Sequence, residues 1–461
     1  MFSALLRRPF HALAALVILG TPLVAGQQAT PKDSQVPDTA HAKPAPFAFA
    51  DFTWLNGNSR QSVSVLDSKY FTGEFRLDAT YIYDFNQPSD HTLVGTSESG
   101  RTQEVQVQQL GIGGDFHAGH AHARLMTQFG MYSTMTPRND ASPARGQWDL
   151  ANAYRYISEA YGGFHIDHWN GVNIEAGIFM SYVGLFSYYN YDNWAYQPSY
   201  VSSNTPWFFN GIRIQIFPSD KLKIEPWIVN GWQSYGMFNS APGLGWQVLW
   251  RPNSTVSVLS NEYYGHDWLG IPKRWRVHSD NSLQIKYHDA PASSVDKGAF
   301  SITVDLGCES GGGVRCEGRG TGGPAQNFAG FMLYNRLWFA HDQYALTLGG
   351  GAMTNPGRYL VLMPPINGAT AFSGTPYFTE NPGNQFGAWD LSATFDYMPD
   401  QFATFRFELD HRASTVPYFA GAGGVTPLGG NQGGPGSPVG GFTPDLRKSE
   451  TRLNIAILVK L

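Results

Sequence analysis

The sequence predicts an all-β transmembrane barrel of about sixteen antiparallel strands, with about fourteen to eighteen as the permitted range. Three observations predict it. Charged residues make up 15% of the 461-residue chain, whereas soluble domains carry roughly 25%. Aromatic residues reach 14%, and past the first 25 residues no apolar run approaches the ~18 that a membrane helix needs. Finally, long segments alternate apolar and polar residues, the pattern of a strand with one greasy and one wet face.

The elements follow in order. Arg7 and Arg8 precede an apolar stretch from Ala12 to Leu19, a Gly20-Thr21-Pro22 break and the small residues Ala25 and Gly26. That order is a secretory signal over 1–26, with cleavage near Ala25 or Gly26. The arginine pair also fits a twin-arginine signal, but that route exports folded proteins and a barrel crosses unfolded. Residues 27–69 read as a Pro/Ala-rich periplasmic lead-in without a core, marked by Pro31, Pro37, Pro44 and Pro46. The segment is too short for the plug domain of an active-uptake receptor. The barrel itself is assigned to 70–461.

Its first strand spans 71–85. Phe71, Phe75, Leu77, Ala79, Tyr81, Tyr83 and Phe85 share one face, and Thr72, Glu74, Arg76, Asp78, Thr80 and Asp84 the other. Further strands are predicted at 103–116, 120–130, 154–166, 172–182, 207–217, 221–232, 244–252, 255–264, 274–288, 298–308, 326–339, 344–352, 387–398 and 401–412. The last strand ends the sequence, with Leu453, Ile455, Ile457, Val459 and Leu461 on its apolar face. This amphipathic end resembles the signal read by barrel-assembly machinery, although Leu461 stands where Phe is usual. Alternate links are short, as at 167–171, 218–220 and 341–343, and the others long, as at 131–153, 183–206, 353–386 and 413–448. Short turns on one side and long loops on the other is the outer-membrane arrangement. Asn210-Gly211 and Asn230-Gly231 are turn signals that fall inside required strands, and 289–297 is long for a periplasmic turn.

The polar phase supplies the candidate pore-lining charges: Glu74, Arg76, Asp78, Arg124, Arg213, Arg276, Arg336, Arg406, Glu408, Asp410 and Arg412. In a wet lumen such residues, as a set, give the field that solutes cross; taken singly, each more readily reads as a paired charge that fixes register. Segment 183–206 is the expected constriction loop, with Tyr188, Tyr189, Tyr191, Trp194 and Tyr196. Its rings would form a sugar-stacking slide or, as the commoner arrangement, an interfacial girdle with a self-packed surface loop. Cys308 and Cys316 lie eight apart, and an oxidising compartment predicts a local disulfide.

Other chemistry is poorly supported. His117, His120 and His122 have metal-like spacing but only Asp115 nearby, so an exposed polar turn is expected and no metal site. Asp167 to Asn173 lacks the spacing and terminal Glu of a calcium loop and reads as a hairpin turn. There is no Gly-x-Ser-x-Gly elbow, phosphate loop or dinucleotide fingerprint, so neither enzyme activity nor a cofactor is expected. A net charge of −5 gives no reason to expect nucleic acid.

Three motifs carry a family resemblance. They are Ala176-Gly177-Ile178-Phe179, Pro206-Trp207-Phe208-Phe209-Asn210-Gly211-Ile212-Arg213, and Val229-Asn230-Gly231-Trp232-Gln233. With Tyr81-Ile82-Tyr83-Asp84-Phe85-Asn86-Gln87-Pro88 they resemble the OmpL-like porin-2 family of outer-membrane barrels. Ile178 replaces the family's Lys and Gln233 its Asp, while Val183-Gly184-Leu185-Phe186 stands in place of a Gly-x-Glu segment. The resemblance implies an outer-membrane pore that passes small hydrophilic solutes without catalysis, partnered by membrane lipid and, at this size, compatible with a homotrimer. A loop-active barrel enzyme and a non-conducting scaffold whose lumen is plugged are the alternatives.

Overall fold

The computed structural model describes residues 45–96, 99–137, 140, 142, 145–237, 239–268, 270–317, 325–357, 359, 385–427 and 442–461. The signal segment 1–26 and the lead-in up to 44 lie outside these residues. No described helix is long and apolar enough to cross a membrane.

Sixteen strands close into one antiparallel barrel. They are β1 Phe71–Asp84, β2 Val105–Ala118, β3 Ala121–Thr127, β4 Ile157–Ile166, β5 Val172–Met180, β6 Phe208–Ser219, β7 Leu222–Val229 and β8 Gly243–Asn253. The second half is β9 Val256–Gly265, β10 Trp275–Asp289, β11 Lys297–Ser310, β12 Asn327–Phe339, β13 Tyr344–Asn355, β14 Phe386–Tyr397, β15 Ala403–Ser414 and β16 Ser449–Lys460. Each strand pairs with its sequence neighbours. β1 and β16 seal the cylinder in a register running from Arg76 opposite Lys460 to Asp84 opposite Arg452. Closure leaves no open edge in the wall, which hydrocarbon would not tolerate.

The alternation holds around the wall. On β15, Phe405, Phe407 and Leu409 are exposed on the outside, while Thr404, Arg406, Glu408 and Asp410 point inward and are buried. Apolar side chains such as Ile212, Trp246, Leu306, Phe331, Leu348 and Leu391 continue the outer belt. The barrel is therefore a soluble protein turned inside out: greasy outside, charged within.

Turns such as 119–120, 220–221, 254–255 and 340–343 sit at one rim, and the long connections at the other. Several predicted boundaries shift by two or three residues, as where 221–232 ends at Val229 and 344–352 runs on to Asn355. The strand expected at 120–130 stops at Thr127, and its partner begins at Ile157, because the pairing slips there and Phe129 makes only a single bridge to Leu110. Asn210-Gly211 is not a turn. Gly211 lies inside β6, where an added Cβ would sit 2.2 Å from the Ile228 carbonyl oxygen, so glycine serves close strand approach rather than reversal. Asn230-Gly231 falls just beyond β7.

The lead-in departs from expectation. Residues 45–60 fold into the barrel, and Phe52, Trp54 and Leu55 join a buried cluster with Leu185, Trp194, Met332 and Trp338. The Pro-rich composition that predicted a segment without a core belongs to its first half. The rest carries Phe52 and Trp54, which gain by burial, with Phe47 packed partly against them.

Candidate functional site

Inside a barrel the wall is already satisfied by its own ladder, so anything entering the lumen must find partners for its backbone among wall side chains. Loop 181–207, between β5 and β6, enters it, and the wall answers with charges. Glu408 accepts the N–H groups of Tyr196 and Gln197 at 2.6 and 2.8 Å. Asp390 accepts Tyr200 N–H at 2.7 Å and the Ser199 hydroxyl at 2.8 Å. Arg406 donates to the carbonyls of Asn190 and Asn193 at 3.2 and 2.6 Å, and Arg336 to that of Trp194 at 3.2 Å. Asp396 bridges the two arginines. On β1, Asp78 accepts from Asn190 Nδ2 at 2.9 Å and Tyr196 OH at 3.1 Å, while Arg76 pairs with Asp192 at 3.0 Å.

A second long connection, 85–104, reaches the same side. Arg412 donates to the Gly95 carbonyl at 2.6 Å and lies over the Tyr200 ring at 4.4 Å. Arg452 pairs with Asp410 and Glu450 at 3.2 and 3.1 Å. Farther round, Arg276 pairs with Glu309 at 2.9 Å between the rings of Trp232 and Tyr359. At the mouth of the 85–104 loop, hydrogen bonds from Arg101 hold the Glu104 carboxyl below the usual range.

This arrangement corrects the lining inferred from sequence. Arg76, Asp78, Arg276, Arg336, Arg406, Glu408, Asp410 and Arg412 face inward but are buried against the incoming loops rather than bathed in lumen water. Alternation identifies the inward face; it is blind to what covers it.

Glu74, at the margin on β1, and Arg124 and Arg213 are different, because the adjoining wall from β2 to β7 leaves them partly exposed. Arg124 bridges Glu74, Asp115 and Glu159 at 3.0, 2.8 and 3.0 Å. Below it, Glu175 links His122 at 2.8 Å to Arg213 at 2.5 Å, and Glu225 pairs with Lys223 at 2.8 Å. Asp115, His122, Glu159, Glu175, Lys223 and Glu225 were missed, yet the same two-residue phase carries them. A cavity of about 320 Å³ lies between this wall and the loop, lined by Arg76, Glu159, Tyr182, Ser187, Tyr189, Asp192 and Gln247.

The loop aromatics are neither an exposed slide nor a self-packed surface girdle. Tyr188, Tyr189, Tyr191, Trp194 and Tyr196 are all buried within the barrel. Tyr188 donates to Gln128 and Tyr189 to Glu159, each at 2.7 Å, and Trp194 meets Trp338 edge-on at 5.6 Å. They brace the loop against opposite walls.

Cys308 and Cys316 form a disulfide, with Cα atoms 5.1 Å apart. His122 is committed to Glu175, and His120 stacks on His165 at 6.2 Å. No group of three metal-ligating side chains converges among the described residues.

Among solved structures, the chain is similar to the outer-membrane protein OmpT of Vibrio cholerae (10% identity, 87% of this chain and 100% of that one, TM-score 0.46). It is also similar to the outer-membrane channel DcaP of Acinetobacter baumannii (10%, 87% and 100%, 0.47). A third is OprB of Pseudomonas putida (10%, 85% and 94%, 0.47). No curated protein matches. The model of the family described as "Putative beta-barrel porin-2, OmpL-like" matches residues 71–433, far beyond the short motifs that first suggested it. The chain belongs to this OmpL-like porin-2 family of β-barrels.

Proposed function

We propose that this barrel is a porin through which small hydrophilic solutes diffuse passively, along the half-open wall from β2 to β7. Family and fold imply an outer-membrane location in a Gram-negative bacterium; export through the 1–26 signal and its cleavage near Ala25 or Gly26 complete the reading.

The observation that carries it is the asymmetry of the lumen. One side is filled by loops tied down with charges, while the other keeps a ladder of arginines and carboxylates beside a cavity of about 320 Å³. Such a lining lowers the barrier for a hydrated solute and rejects an apolar one. Glu74 and Asp115 are partly exposed on this wall together with Arg124, Arg213 and Lys223, so charges of both signs meet a solute. Asp115 is the most exposed of the ion-paired groups on this ladder. No catalytic step and no cofactor belongs to this reading.

Single-channel recording of the full-length protein in a planar bilayer, with a salt gradient, tests it. Discrete conductance steps support the proposal, and the reversal potential gives the sign of the field at the constriction. A heat-modifiable barrel that never conducts refutes it and favours the plugged scaffold.

A further inference from the structure

We propose that residues 45–60 are an inner gate, a strap that enters the barrel at the short-turn rim and holds the pore narrow beneath the constriction loop. The inference rests on the pore reading and adds a moving part to it.

The strap makes two kinds of contact. At its tip, hydrogen bonds tie it to both wall and loop. Asn56 N–H donates to Gln284 Oε1 at 2.9 Å, and Asn56 Oδ1 accepts Trp194 N–H at 2.8 Å. Trp194 Nε1 donates to the Trp54 carbonyl at 3.2 Å, and Gly57 N–H to that of Asp192 at 3.1 Å. At its base, Arg60 donates to the carbonyls of Asp400 and Ala403 at 2.7 and 2.5 Å and lies over the Tyr191 ring at 5.0 Å. Gly57 fits because it is glycine. Its φ is +78°, and a Cβ there would lie 2.2 Å from the Leu185 carbonyl oxygen.

The position of the strap matters more than its affinity. Gly57 lines the cavity of about 320 Å³ under the loop, while Thr53, Trp54 and Arg60 line another of about 430 Å³ at the short-turn rim. A third pocket, beside Leu55, Asn58 and Arg60 and against Tyr191, Asp192 and Arg406, holds only about 20 Å³. That is room for about one water molecule. A hydrated solute passing from one cavity to the other by this route must displace the strap.

The strap can leave without unfolding the wall. It contributes no strand to the barrel, and residues 61–70 connect it to β1 as a mostly exposed stretch with no strand longer than one bridge. Ten such residues reach up to ~33 Å when extended. Its apolar tip, Trp54 and Leu55, would then be exposed at the rim, which biases the strap toward its seat.

The test uses the full-length protein with Gly57→Val, which cannot keep the backbone contact to Leu185, and separately Arg60→Gln, which removes the Arg60 anchor at the base and leaves that of Phe47 N–H on the Asp220 carbonyl. Both should give larger or longer open steps than wild type in planar bilayers. As an independent readout, trypsin added at the short-turn side should cut after Arg60 faster in Gly57→Val than in wild type. Conductance and cleavage equal to wild type, in variants that remain heat-modifiable barrels, overturn the gate while leaving the pore intact. Wild type and variants that are all silent, with unchanged cleavage, overturn both.

Discussion

Arg406 on β15 and Asp396 on β14 stand directly opposite each other, wholly buried and joined by two hydrogen bonds of 2.6 and 2.9 Å. The fork geometry leaves Arg406 free to hold two loop carbonyls at the same time. Replacing Arg406 with Met should strand part of the Asp396 charge, leaving only Arg336 beside it. Breaking a buried pair in this way costs about 3–5 kcal/mol. A lowered urea-unfolding midpoint together with a larger conductance is the expected result; an unchanged midpoint would show the pair to be dispensable.

Glu408 holds two consecutive loop N–H groups. Glu408→Gln keeps the shape, loses the charge and offers one acceptor where two were used. Hydrogen bonds to a charged group contribute about 1.5–3 kcal/mol. Hydrogen exchange should therefore accelerate at Tyr196 and Gln197 and stay at the wild-type rate in β11 and β12. Acceleration spread over the barrel would mean a global effect and defeat the local assignment.

Arg124 neutralises three carboxylates on the open wall. Arg124→Gln should shift the reversal potential toward cation selectivity, and Glu159→Gln should shift it the other way. Both shifts should shrink near 1 M salt, where the screening length falls to about 3 Å. Identical potentials in the two variants would place the selective constriction elsewhere.

Gly349 faces Tyr334 across β13 and β12, and an added Cβ would fall 2.0 Å from the tyrosine ring. That ring packs edge-on against Phe186 of the constriction loop at 5.1 Å. Gly349→Ala should displace Tyr334 and destabilise the barrel by about 1–3 kcal/mol, read as a urea midpoint. Phe186→Leu in the same background should recover part of the loss.

Glu104 sits outside the wall, in the 85–104 loop, and hydrogen bonds from Arg101 hold its carboxyl below the ordinary value of 4.5. A depressed carboxyl stabilises the folded loop above its unfolded value and loses that contribution as pH falls through the folded one. Amide protection around Arg101 should thus be level above pH 4.5 and decline below it. Glu104→Gln should flatten the decline; a decline that survives in the variant would assign it to another group.

The wall was legible in the sequence because its rules are local. Alternation of Phe405, Phe407 and Leu409 with Arg406, Glu408 and Asp410 needs only neighbours along the chain, and turn lengths supplied the order. The filling of the lumen was not legible. Tyr196 meets Glu408, and Asn56 meets Gln284, across more than two hundred residues. A charge facing water and a charge holding a loop backbone look alike when read along the chain. The aromatic richness of 186–209 was visible, yet a ring bracing a wall and a ring stacking a sugar have the same composition. Trp54 was overlooked because the prolines before it set the reading of the whole lead-in.

The wall grips the constriction loop largely by its main chain: Glu408 and Asp390 take N–H groups, while Arg406 and Arg336 reach carbonyls. Those atoms are common to nearly every amino acid. The route of the loop is thus written largely into the strands, whereas the side chains with which it lines the cavity set what a solute meets. Grafting other side chains onto that fixed route is a means to re-aim the pore at different solutes without redesigning the cylinder that holds it.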